Sequence, residues 1–155
     1  MAPTGVKTTG LPAFFIWALA GIMAAVYFFL PLHLKHQLQF SGLEIGSLYA
    51  AASLNALVVT FPLGVAGDRY SLRLLLAISL GVTAVCLAAL GLLTGFFPYL
   101  LAFWGFGLGM HASRVVLDTL LFKTGSQTEV RHLAQYNAMR MGGMFVGTLG
   151  GGVLF

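Results

Sequence analysis

Long apolar runs separated by short polar interruptions account for nearly the whole chain, and the runs are too long for the helices of a soluble core. The first extends from about Ala13 to Leu34 and is followed by the polar segment Lys35 to Phe40. Ser41-Gly42-Leu43-Glu44 then has the form of a capping box, in which hydroxyl and carboxylate each satisfy a backbone N–H that the first helical turn leaves unpaired. A second helix is predicted from Gly42 to about Ala66, with Pro62 bending it near its end, and a third from Leu74 to about Thr94. Gly95-Phe96-Phe97-Pro98-Tyr99 carries no charge and combines turn residues with aromatics, which predicts a tight reversal at a membrane surface. A fourth helix follows from Pro98 to Phe122, then a polar connection from Lys123 to Gln135, and a fifth helix from Tyr136 to Phe155.

A hydrocarbon layer of about 30 Å takes roughly 20 helical residues to cross, so five crossings with short connections use up 155 residues. Composition agrees: 59% of residues are hydrophobic and only four are acidic, fewer than a soluble domain of this length uses to cover its surface. The predicted class is an all-α integral membrane protein, a polytopic helical bundle in one unit over residues 1–155. The first run lacks a small-residue cleavage site and is too long for a signal-peptide core, so it reads as an uncleaved helix. The single cysteine, Cys86, lies inside an apolar run and forms no intramolecular disulfide.

Charge sets the orientation. With the N-terminus inside, Lys7, Arg69, Arg73, Lys123 and Arg131 fall on the inner side against Lys35 outside, which predicts a cytoplasmic N-terminus in a plasma membrane, expected to be a bacterial inner membrane. The net charge of +4 is spread singly over these connections, an arrangement that suits orientation in a bilayer and argues against nucleic-acid binding.

The most informative polar stretch is Gly64-Val65-Ala66-Gly67-Asp68-Arg69-Tyr70-Ser71-Leu72-Arg73, read as a tight loop between the second and third helices. Its spacing resembles the Gly-x-x-x-Asp-Arg-x-Gly-Arg-Arg loop of the major facilitator superfamily of transporters. Gly64, Asp68, Arg69 and Arg73 fall on matching positions, while Ser71 stands in place of a glycine and Leu72 in place of a basic residue. Gly147-Thr148-Leu149-Gly150-Gly151-Gly152 is similar to the Gly-Pro-x-x-Gly-Gly signature of that superfamily's drug and proton antiporters, with Thr148 at the proline position. The resemblance implies a twelve-helix secondary transporter whose two six-helix halves rock around a central site, with the Asp68 loop gating the cytoplasmic side. The five helices then correspond to a truncated N-terminal half, the C-terminal half being absent from this sequence.

On the fourth helix His111, Arg114 and Asp118 fall within about 60° of one another at 100° per residue. A lone arginine at membrane depth costs roughly 2.5 to 3.5 kcal/mol on insertion scales, so this face points at protein or water. It is a candidate cavity face or an Arg114–Asp118 pair, and Arg140, Asn55 and Tyr27 are the other candidate polar groups in the membrane. Gly105 and Gly109 on the fourth helix, and Gly143, Gly147 and Gly151 on the fifth, are spaced by four and predict close helix packing. His33 and His36 lack converging ligands, so no metal site is expected, and neither is a cofactor or a catalytic group. Gly105-Phe106-Gly107-Leu108-Gly109 lies inside a membrane helix, which excludes a dinucleotide fold.

The expected function is therefore transport of a small solute by alternating access, with a proton as candidate coupling ion and a missing half or partner helices to complete the path. Two alternatives remain open: a non-transport scaffold or assembly subunit built on the same half, and a short membrane protein that oligomerises.

Overall fold

The computed structural model describes residues 10–124 and 129–154, with side chains left out at 10–13, 56, 60, 61, 64, 66–69, 121–124, 129–133, 135, 153 and 154. Five helices make up the described chain: α1 (Gly10–His36), α2 (Gly42–Arg69), α3 (Leu72–Leu90), α4 (Phe96–Thr124) and α5 (Glu129–Leu154). Four contain stretches long and apolar enough to cross a bilayer, Phe14–His36, Gly42–Val59, Leu72–Leu90 and Phe96–Leu120. The protein is an all-α polytopic membrane protein.

The helix ends show why the polar interruptions are shorter than they look in sequence. Charged residues can extend a helix into water, so α2 continues through Asp68 and Arg69 and leaves only Tyr70 and Ser71 before α3. Gly64, Asp68 and Arg69 thus lie on helical backbone, which corrects the predicted loop. Ser71 adopts an extended conformation (φ −66°, ψ 128°), and its Oγ accepts from the Leu74 N–H at 3.3 Å. The position needs an N-cap oxygen and not positive φ, which explains why serine serves where the motif has glycine. α5 likewise starts at Glu129, seven residues before the predicted Tyr136. α3 stops at Leu90 instead of Thr94, because Gly91 caps it with its N–H turned back on the last carbonyls.

The capping box ahead of α2 is formed: the Ser41 N–H donates to Glu44 Oε2 at 2.8 Å, and the Glu44 N–H donates to Ser41 Oγ at 3.3 Å. Just before it, Gln39 takes a left-handed backbone conformation (φ 55°), and its side-chain amide donates to the His36 carbonyl at 2.9 Å. That reversal brings the Phe40 ring edge-on to Phe96 and Tyr99, each with centroids 5.9 Å away.

Two compact units share the five helices. One holds the chain up to Leu30 together with residues from Gly125 onward, and the other runs from Pro31 to Thr124. In the first unit α1 and α5 are parallel: Trp17 meets Gly143, Gly21 meets Gly147 and Ala25 meets Gly151, a constant offset stepping by four. In the second, α4 packs on both α2 and α3. Ser79 against Ser113, Thr83 against Gly109 and Cys86 against Gly105 run in opposite senses, so α3 and α4 are antiparallel. Tyr49 on Phe103 and Asn55 on Gly107 run in the same sense, so α2 and α4 are parallel.

Candidate functional site

Without a hydrophobic difference between lipid and side chain, membrane helices associate through close packing and interhelical hydrogen bonds. Of the sequence-predicted glycines, Gly109, Gly143 and Gly147 lie against backbone, and Gly105 and Gly151 against side chains. A Cβ on Gly147 would meet the Gly21 carbonyl group and Cα, one on Gly143 would meet the Trp17 carbonyl oxygen, and one on Gly151 would meet the Phe29 ring. On α4 a Cβ at Gly105 would come within 2.7 Å of Cys86 Sγ, and one at Gly109 within 2.8 Å of the Thr83 nitrogen and 2.9 Å of the Ser79 oxygen. Both therefore face α3.

The candidate polar residues divide between the units. Tyr27 and Arg140 belong to the first. The α1–α5 offset puts Arg140 level with Phe14, thirteen residues before Tyr27, so the structure does not bring these two together.

In the second unit Asn55 is fully buried on α2, and its Nδ2 donates to the Trp104 carbonyl of α4 at 3.0 Å. Gly107 permits this contact, since any Cβ there would strike the Asn55 amide. His111, Arg114 and Asp118 follow along α4. Arg114 is exposed, whereas His111 and Asp118 are half-buried. They share the helix face turned away from α3, opposite Gly105 and Gly109. Asp118 Oδ1 is buried and has no hydrogen-bond partner among the described residues, so this oxygen is not held by Arg114 one turn earlier. A buried carboxylate oxygen with a guanidinium on the same face is an arrangement that can bind a polar solute or an ion.

Arg73 is exposed in the first turn of α3. The side chains of Asp68 and Arg69, and the surroundings of Gly64, lie outside the described residues. Among the described residues no cluster of three His, Cys, Asp or Glu could hold a metal ion.

Four residues central to the helix contacts fall outside the sequence-predicted set. Gly107 is one, and Ser79, Thr83 and Ser113 form a buried hydroxyl ladder between α3 and α4. Ser113 Oγ lies 2.9 Å from Ser79 Oγ and 2.8 Å from the Gly109 carbonyl, and Thr83 Oγ1 donates to the Ser79 carbonyl at 2.8 Å. Their signal in sequence is the spacing of Ser79 and Thr83, four apart on an otherwise apolar helix.

Apolar helices held by glycine contacts and buried hydroxyls, with charged groups on one face of α4, define a polytopic membrane protein built to keep polar groups inside the bilayer. Residues 12–155 match the family model of the Major Facilitator Superfamily, and the chain belongs to that family, whose members are transporters. No curated protein and no solved structure matched the sequence.

Proposed function

We propose that these helices are the N-terminal part of a secondary active transporter that carries a small solute by alternating access, with a proton as coupling ion. The N-terminus is cytoplasmic in this reading, and the membrane a bacterial plasma membrane. The observation that carries it is the family match from residue 12 to 155. Gly64, Asp68, Arg69 and Arg73 form the gating segment, while His111, Arg114 and Asp118, with Arg140, Asn55 and Tyr27, are candidates for the solute path. No catalytic role is assigned to any of them.

The backbone gives Asp68 a physical rationale. It sits in the last turn of α2, where the partial negative charge of the helix end disfavours a carboxylate by about 0.3–1 kcal/mol. An acidic group there works against helix stability, which fits a residue kept for an interaction outside its own helix.

The test is transport by the protein expressed from its complete reading frame and reconstituted into proteoliposomes containing a pH-sensitive dye. At least one member of a panel of small solutes should dissipate an imposed proton gradient, and Asp68→Asn should abolish that flux at unchanged protein yield. Unaltered flux in Asp68→Asn would remove the gating assignment. Absence of flux for every solute, with a folded protein, would remove proton-coupled transport.

A further inference from the structure

Asn55 presents one side of its amide to α4 and leaves the other unanswered. Nδ2 donates to the Trp104 carbonyl, but Oδ1, although buried, has no hydrogen-bond partner among the described residues. The side chain is 0% exposed, so bulk water does not reach the oxygen. It lies inside the membrane-crossing part of α2, where lipid offers no donor. Buried amide oxygens are almost always hydrogen-bonded, and ordered water answers those that protein groups do not.

The surroundings suit such a water. The Cα–Cβ bond of a helical residue tilts towards the helix N-terminus, so the Asn55 side chain lies over the turn that carries Ala51 and Ala52. Both residues carry only a methyl group, while across the seam the space that Gly107 leaves is taken by the Asn55 amide nitrogen. A water beside Oδ1 would donate one proton to it and keep the other for a main-chain carbonyl. The amide cannot turn over to meet its need from α4, because the Trp104 carbonyl requires a donor facing it.

We propose that Asn55 Oδ1 holds a single ordered water molecule in the seam between α2 and α4, so that the contact is sealed by an amide and a water together. Asn55 then serves as a hydration site within the membrane as well as a clamp on α4.

The test is water-to-protein polarisation transfer in solid-state NMR on the whole protein in lipid bilayers, with asparagine side chains labelled with ¹⁵N. Asn55→Leu, which keeps the branching of asparagine without its polar atoms, identifies the Asn55 signal by its loss. The proposal expects magnetisation from immobilised water to reach the Asn55 amide at short mixing times. It also expects Asn55→Leu to lower the unfolding temperature, since the variant loses both the Trp104 bond and the water bridge. A missing transfer signal in the folded wild-type protein overturns the proposal. So does an Asn55→Leu protein that unfolds at a higher temperature than wild type, the result expected when a truly orphaned oxygen is removed. If Asn55→Leu fails to fold, Asn55→Ser supplies the assignment and the NMR readout decides alone.

Discussion

The two compact units solve one problem with different chemistry. Between α1 and α5 the tightest contacts at Gly143 and Gly147 are backbone on backbone, against the carbonyls of Trp17 and Gly21. Around α4 the contacts combine glycines with polar side chains: Asn55 on Trp104 towards α2, and Ser79, Thr83 and Ser113 towards α3. A backbone seam depends only on shape and tolerates no added atom. A side-chain seam can shift a rotamer, so it fails more gradually.

The largest effect is therefore expected in the first unit. Gly147→Ala places a methyl on the Gly21 backbone, which has no rotamer to change, so α1 and α5 must separate. Overpacking of this kind costs typically about 1–3 kcal/mol. Gly150→Ala on the same helix meets nothing within 4 Å and controls for helix propensity, where alanine is favoured by about 0.8–1 kcal/mol. Unfolding of the purified protein in mild detergent by a graded denaturant should show Gly147→Ala destabilised and Gly150→Ala equal to wild type or better. Equal behaviour of the two would mean that the α1–α5 seam does not hold in the membrane protein.

How much of this was legible in sequence follows from the same distinction. Glycines spaced by four are conspicuous, and Gly105, Gly109, Gly143, Gly147 and Gly151 are readable as packing positions because hydrogen-sized residues have few other uses in a membrane helix. What each meets is not readable, since the α1–α5 register depends on contacts more than a hundred residues apart. The capping box at Ser41 and Glu44 is local and was readable in full. Helix ends near charges were not: polarity marks where the chain leaves the bilayer, while the helix itself runs on through Arg69 or begins at Glu129. On α4 the shared face of His111, Arg114 and Asp118 follows from spacing alone. That Asp118 buries an oxygen away from Arg114 required the three-dimensional packing.

A smaller effect separates the two kinds of seam directly. Gly105→Ala would bring a methyl within 2.7 Å of Cys86 Sγ, a side-chain atom on one rotatable bond. The substitution should cost less than Gly147→Ala, and Cys86→Ala should largely rescue it, because the clashing sulfur is then gone. In a double-mutant cycle the coupling energy should be about 0.5–3 kcal/mol and favour the double variant, as expected for residues in contact. Additive single effects would show that Gly105 does not pack on Cys86.

The smallest expected effect concerns hydroxyls, and it contrasts the units on equal chemistry. Ser113 is fully buried and lies within hydrogen-bond distance of Ser79 Oγ on α3 and of the Gly109 carbonyl on its own helix. Its single proton serves one of these acceptors, and the Ser79 hydroxyl already has the Leu76 carbonyl at 2.9 Å, so the net gain across the seam is modest. Interhelical bonds of this kind average about 0.6 kcal/mol in membranes. Thr148 on α5 donates to the Met144 carbonyl at 2.9 Å, within its own helix. Ser113→Ala should thus destabilise by about half a kilocalorie or slightly more, whereas Thr148→Val, which keeps shape and removes only the hydroxyl, should be close to neutral. The same denaturant titration measures both. If Thr148→Val proved the costlier change, the hydroxyl of α5 would be reaching beyond its own helix, and the unit described as a backbone seam would have a polar component after all.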